Sequence, residues 1–424
     1  MIRRAACLVA LCLLAACDRK PAPHVRSGPM EPPAFWVWHR SSPLKPEEID
    51  SLRAAGVQTL DWQAAECEWV GGDWRFKRIS NPQKPLSPLE IIPVFRIKPE
   101  PGFLGSPMAA EKLTASIRSW NRGGAELAEV QLDFDCPDRL LGNYARFLRA
   151  FGTAMAPTRI SVTALAAWPG NPDFHQLADS VSSFAPMFYD LKADTPDRFE
   201  PMADPAVIQL ITRWKDCPKP WRAGLPSFER VSVFKADGTL IGHLRGWRPD
   251  EVFFHPCLKP KPLGEGLTIF EVTAAGDLSG TRIEPGMKVV HRAPDIGTLS
   301  NLANAAERNG ADGIIWFALP GPGIPAALSA GQLANLDSKP APQLRAGKNG
   351  VLILENPGPA DLTTRAWELE IRSPKAATFQ SASPGEFAGM LVPDGLPAEL
   401  SDTIVLRFAQ LHGGESLTSG PLLR

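Results

Sequence analysis

The stretch Gln131-Leu132-Asp133-Phe134-Asp135 sets two carboxylates two positions apart at the end of an apolar run. Side chains alternate across a β-strand, so Asp133 and Asp135 leave on the same side, and a strand running into a loop there aims both at one cleft. Carboxylates that close repel, and one pKa rises unless a cation or hydrogen bonds hold both ionised; acid/base and charge-stabilising pairs are made this way. The competing role is a polar strand end in which Asp135 caps the turn before Pro137. A second group is Met187-Phe188-Tyr189-Asp190-Leu191, where a phenol and a carboxylate close another run in a chain with only two tyrosines. Trp36, Trp38, Trp62, Trp168 and Trp316 also fall at or near such ends, although each taken singly suits ordinary core packing. Aromatic faces stack on sugar C–H surfaces, so tryptophans beside carboxylates suit a saccharide. His39 ends the first run and could reach the same place. His39, His175, His243, His255 and His291 have no ligand spacing, so no metal or cofactor is expected.

The elements that must position these groups follow from pattern. Short apolar runs at 35–38, 57–62, 91–95, 129–133, 160–164, 183–187, 222–225 and 313–317 alternate with helix-like stretches at 46–55, 109–122, 140–151, 174–180, 205–214 and 295–309. This is the α/β pattern, and eight strands over about 300 residues suit a (β/α)8 TIM barrel with one insertion. A doubly wound open sheet is the alternative, but no GxGxxG follows the first strand. The barrel is assigned to 34–338 with the insertion at about 234–288, where Asp237-Gly238 signals a hairpin. After Pro340-Ala341-Pro342 the period becomes two, and 344–424 reads as a small all-β, sandwich-like domain in a supporting role. Active sites of such barrels gather at the C-terminal strand ends, where the residues above fall.

At the N-terminus, Arg3-Arg4, an apolar run and Leu14-Ala15-Ala16-Cys17 have the order of a lipoprotein signal peptide over 1–16. Cys17 becomes the lipidated first residue of the mature chain. A twin-arginine reading lacks the flanking residues. Asp18 resembles the signal that retains lipoproteins in the inner membrane, so the expected place is the periplasmic side of the envelope, inner rather than outer membrane. Residues 17–33, rich in proline and charge, read as a flexible tether. The formal charge of −1 and the lack of a basic run argue against nucleic-acid binding. Cys67, Cys136, Cys217 and Cys257 remain for three possible pairings in an oxidising compartment, with Cys217–Cys257 favoured.

Phe35-Trp36-Val37-Trp38-His39-Arg40, Val130-Gln131-Leu132-Asp133-Phe134-Asp135-Cys136-Pro137, Thr163-Ala164-Leu165-Ala166-Ala167-Trp168 and Pro186-Met187-Phe188-Tyr189-Asp190 together resemble the bacterial domain-of-unknown-function family 3142, which carries no established activity. More distantly, the Asp-x-Asp, the Met-x-Tyr-Asp and the last-strand tryptophan are similar to the chitinase-like family 18 glycoside hydrolases. The resemblance implies a sugar-shaped cleft. In those enzymes a glutamate two positions beyond the Asp-x-Asp protonates the leaving oxygen; here that position is Pro137. An acid must then come from Asp135, Asp190, Glu229 or Glu66, with Asp133 orienting a neighbour and Tyr189 and Asp190 stabilising substrate or transition state. Two functions follow as expectations: hydrolysis of an envelope or extracellular polysaccharide, or binding of such a glycan without cleavage.

Overall fold

The computed structural model describes residues 22–80, 89–122, 124, 126–192, 194–195, 198–264, 266–319, 327–373, 379, 383–393 and 401–422. The signal peptide, Cys17 and Asp18 lie outside these residues. The first strands in chain order are β1 (Ala34–Val37), β2 (Thr59–Val70), β3 (Asp73–Arg78), β4 (Glu90–Ile97), β5 (Glu129–Asp133), β6 (Arg159–Leu165), β7 (Ser183–Met187) and β8 (Arg222–Pro226). There follow β9 (Arg230–Phe234), β10 (Leu240–His243), β11 (Leu258–Gly264), β12 (Leu267–Val272), β13 (Gly276–Leu278), β14 (Thr281–Ile283), β15 (Lys288–Arg292) and β16 (Gly313–Phe317). Eight of them, β1, β2, β4 to β8 and β16, run parallel and close on themselves through the β1–β16 and β1–β2 pairings; β3 is an antiparallel hairpin partner of the long β2. The TIM-barrel assignment holds.

Helices cover the outside because their sequences have one apolar stripe. Ala109–Trp120 buries Ala109, Leu113, Ile117 and Trp120, and Leu141–Met155 buries Leu141, Tyr144, Leu148, Phe151 and Met155, all at helical spacing. Ile296–Arg308 starts at Asp295, whose side chain accepts the Thr298 amide at 2.8 Å. On the strands the period of two sorts the residues. Phe35, Val37, Leu60, Trp62, Val130, Leu132, Leu225 and Trp316 pack outward against the helices, whereas Trp36, Trp38, Val94, Ala185 and Ile315 form a separate inner cluster. Gly224 is required by this filling: a Cβ there would lie 2.8 Å from the Trp36 ring and 2.9 Å from the Pro186 carbonyl.

The inserted sheet has the order β10-β9-β15-β12-β11 and starts at Arg230 and ends at Arg292, so it is wider than 234–288 because β9 pairs with β15 along its whole length. Asp237 and Gly238 form the β9–β10 turn, with Gly238 at φ 83°. Beyond the barrel, β17 (Gln343–Ala346), β18 (Leu352–Glu355), β19 (Trp367–Arg372), β20 (Gly389–Leu391), β21 (Thr403–Phe408) and β22 (Ser416–Thr418) make two three-stranded antiparallel sheets around Leu354, Ile371, Ile404, Leu406 and Phe408.

Two expectations are corrected. No disulfide joins Cys217 to Cys257: all four cysteines are free, Cys217 buried under the barrel helices and Cys257 beside Ala275 in the insertion. Residues from His24 onward are not the expected tether, since they are bonded to the barrel: the His24 amide donates to the Cys217 carbonyl at 2.7 Å, the Arg26 side chain to the Ala311 carbonyl at 2.6 Å and the Glu31 amide to the Asp312 carbonyl at 2.6 Å. Among the described residues no helix is long and apolar enough to cross a membrane.

Candidate active site

A cleft of about 410 Å³ opens at the C-terminal ends of the barrel strands, lined among others by Trp36, Trp38, Asp133, Asp135, Tyr189 and Asp190. These six come together, Tyr189 and Asp190 both reaching the mouth because they lie past the end of β7, where strand alternation no longer separates them. Asp133, the last residue of β5, is buried; Thr163 on the next strand donates to its Oδ1 at 2.7 Å and Arg96 to its Oδ2 at 3.1 Å. Burial raises the Asp133 pKa, and Asp135 adds to the rise while Arg96 and Thr163 oppose it. Asp135 stands higher and half-exposed, with its carboxylate 3.8 Å from the same guanidinium. Arg96 also lies 5.9 Å over the Trp38 ring. One cation thus bridges both carboxyls and one aromatic wall.

The opposite wall is aromatic. Tyr189 stacks on Phe317 with centroids 5.3 Å apart and planes at 14°, and Phe317 meets Trp36 and Trp38 edge-on at 6.0 and 5.7 Å. Burial, with Asp133 and Asp135 nearby, holds the Tyr189 phenol well above its usual range, so it is a hydroxyl donor and not a phenolate. Asp190 adopts φ 53°, a left-handed conformation that turns its carboxylate away from the strand axis. There Arg230, from the first strand of the insertion, grips it with two bonds of 2.6 Å. Burial favours its neutral form, but the Arg230 bonds outweigh it and lower the pKa. Asp190 is therefore a charged strut between barrel and insertion.

Beneath the cleft a polar chain fills the barrel. The Trp36 indole donates to Gln131 at 2.7 Å, and Gln131 donates to Asp61 at 2.8 Å. Asp61 is fully buried, 3.7 Å from Arg222, and burial pushes its pKa up to about 6. It supports the floor through Gln131 and Trp36.

Other anticipated residues lie elsewhere. Trp316 points outward, because Phe317 is the inward-facing member of that strand end; the aromatic surface expected from Trp316 is supplied by Phe317. Trp62 also faces outward, its indole donating to the Arg40 carbonyl at 3.2 Å, and Trp168 is buried beside Tyr144. Glu229 is excluded from the cleft: it is buried against His291 at 2.7 Å, accepts from Gln410 at 3.2 Å and is bonded to Thr364. A turn after β8 carries it into the junction of barrel, insertion and C-terminal sheets. Glu66 pairs with Lys77 at 3.5 Å across the β2–β3 hairpin. His39 is exposed at the end of β1 at φ 51°, with its amide donating to Gln63 at 2.9 Å. Partial burial, with Arg96, Arg245 and Lys77 nearby, lowers its pKa despite Glu66.

Arg96, Thr163, Phe317, Asp61 and Gln131 escaped the sequence reading. β4 was expected to stop at 95, one residue short of the inward-facing Arg96; it runs to Ile97. The same alternation that selected Asp133 selects Gln131, and on β6 it selects Thr163. Among the described residues no group of three or more His, Cys, Asp or Glu side chains could hold a metal ion.

The domain of unknown function DUF3142 matches residues 88–243, which run from the start of β4 to the end of β10 and include Arg96, Asp133, Asp135, Tyr189, Asp190 and Arg230. No curated protein matches at a significant level. Among solved structures, the spore cortex-lytic enzyme SleL of Bacillus megaterium QM B1551 is 12% identical with a TM-score of 0.51, over 75% of this chain and 76% of that one. SleL of Bacillus cereus is 15% identical, with a TM-score of 0.45, over 70% of this chain and 73% of that one. A chitinase from Chromobacterium violaceum ATCC 12472 is 14% identical, with a TM-score of 0.45, over 69% and 94%. The chain is thus similar to the DUF3142 family over residues 88–243, and its barrel fold is similar to that of SleL from Bacillus megaterium.

Proposed function

We propose that this protein is a lipid-anchored glycoside hydrolase acting on a polysaccharide of the cell envelope, held through Cys17 on the periplasmic side, with Asp18 favouring the inner membrane. The observation that carries the reading is the Asp133–Arg96–Asp135 cluster opening into a cleft walled by Trp38, Tyr189 and Phe317. Aromatic walls take the C–H faces of sugar rings. Asp135, the carboxyl of the pair that faces solvent, delivers the proton to the glycosidic oxygen. Asp133, its pKa raised by burial, lies beneath it, and Arg96 bridges the two carboxyls.

Asp190 is committed to Arg230, so no second free carboxyl faces Asp135 across the described cleft. That suits a substrate bringing its own nucleophile, such as the 2-acetamido oxygen of an N-acetylated amino sugar. That oxygen bonds to C1 as the glycosidic C–O bond breaks and Asp135 gives its proton to the leaving oxygen. Water then adds at C1 as the C1–O bond to the acetamido oxygen breaks, and its proton passes to Asp135. Tyr189, a neutral hydroxyl beside the pair, is placed to hold the acetamido group.

A second reading, glycan binding without cleavage, draws on Pro137 in the position where similar barrels carry a glutamate. The test is release of reducing ends from cell-wall and exopolysaccharide fractions. Hydrolysis predicts release by the wild type and a loss of at least about a hundredfold in Asp135→Asn, the scale of a lost general acid. Binding by both proteins with no product from either supports the second reading and overturns the first.

A further inference from the structure

Residues 24–31 lie across one end of the barrel, and it is the end opposite the cleft. Besides the two backbone bonds and the Arg26 side-chain bond described above, His24 Nε2 stands 2.9 Å from an Asp312 carboxylate oxygen, and the other oxygen of Asp312 accepts the Trp221 amide at 2.9 Å. Asp312 and Trp221 immediately precede β16 and β8, so they mark the N-terminal ends of those strands, whereas Asp133, Asp190 and Phe317 stand at or beyond C-terminal ends. Met30 packs into the layer between barrel and helices, which fixes the segment by apolar contact as well.

Seven residue steps separate Cys17 from His24, a reach of at most about 25 Å. A globular chain of 424 residues has a radius of gyration near 22 Å, or roughly 55 Å across. The lipid cannot reach round to the cleft while His24 stays docked.

We propose that the anchored protein stands with the floor of its barrel toward the bilayer and its cleft facing away, so that it engages glycan strands lying off the membrane and not sugars linked to lipids of the bilayer that holds it. This rests on the lipid-anchor reading given above, and its main test does not depend on hydrolysis.

The full-length protein is produced in a lipidating host and placed in phosphatidylethanolamine/phosphatidylglycerol vesicles carrying a nitroxide headgroup quencher. Fluorophores are attached at Lys215→Cys, exposed on the floor side, or Lys98→Cys, exposed just beyond the end of β4, in a Cys257→Ser background. Quenching at 215 is expected to exceed that at 98 by about threefold or more, because the tether confines only the floor to the headgroup region. The contrast should shrink when His24→Ala and Arg26→Ala are combined. Equal quenching, stronger quenching at 98, or an N-terminal peptide without lipid overturns the proposal.

A glycan arm then separates this proposal from the hydrolase reading. The vesicle-bound protein should engage a free glycan polymer but not an undecaprenyl-linked disaccharide in the same vesicles, until a Gly/Ser spacer of about 20 residues is inserted before His24. Engagement of the lipid-linked sugar without the spacer overturns the orientation. Failure to engage either glycan counts against the glycan reading, while the quenching contrast still decides the orientation.

Discussion

Arg96 occupies the position on which the cleft's charge balance turns, since it faces two carboxyls of opposite accessibility. Its replacement by methionine would leave Asp133 buried beside Asp135 with only Thr163 as an opposing bond, and proton affinity at Asp133 should climb further. A basic-side shift of the acidic limb of the glycan-cleavage pH profile is the expected result, and an unchanged profile would remove Asp133 from the proton path. Asp61 makes a cleaner thermodynamic case. Its carboxyl is raised from 3.8 to about 6, first by burial and then by Glu129, against Arg222 and Gln131. A carboxyl raised by folding binds its proton more tightly in the fold than in the unfolded chain. Its contribution is complete below about pH 4 and is lost as pH rises toward 6, a difference of roughly 3 kcal/mol. Asp61→Asn keeps an acceptor for Gln131 and should flatten the fall in stability across that window. Denaturant unfolding at several pH values measures this, and an undiminished slope would mean that another group titrates there.

The strand is the scale at which the sequence was most and least legible. Eight parallel strands, and the shared direction of Asp133 and Asp135, followed from periodicity because each strand is short and sharply bounded. The same rule fails where a strand end must be known to one residue. At β16 the pair Trp316-Phe317 offers two aromatics, and a register shift of one exchanges floor for core. At β4 a boundary drawn one residue early lost Arg96. Glu229 failed for another reason: nothing local shows that the chain turns from β8 into a sheet whose His291 arrives sixty residues later. The two aromatics at β16 should separate cleanly by measurement. Trp316→Ala should cost about 3–5 kcal/mol of stability as a core truncation. Phe317→Ala should leave most of the stability and weaken glycan binding about tenfold, the scale of one lost aromatic contact. Equal effects of both on stability alone would show that Phe317 is core as well.

At the scale of the whole molecule, Glu229 ties three parts together. It ends the stretch after β8, its partner His291 lies on β15 of the insertion, and Thr364 and Gln410 lie in the segments just before β19 and just after β21. Glu229 and His291 are both buried, so removing Glu229 strands its partner in a low dielectric. Glu229→Ala should therefore lower stability by about 3–5 kcal/mol and split a single thermal transition into separate ones for the barrel and the C-terminal sheets. Cleavage measured well below the first transition should persist, which distinguishes this junction from a loss of the proton donor. A collapse of activity in a fully folded variant would return Glu229 to the chemistry.

The order of the strands along the chain has a consequence for how such a protein is born. β16, which brings Phe317 to the cleft and seals the barrel against β1, follows the entire inserted sheet. Arg230 and β15 must also be in place before Asp190 is held. A chain synthesised N-terminus first consequently carries Asp133, Asp135 and Tyr189 for a long interval without Phe317 beside them. Closure joins segments far apart in sequence, the kind of contact that forms late. The cleft is thus incomplete until the last barrel strand is delivered, so its two sides meet only when the barrel closes.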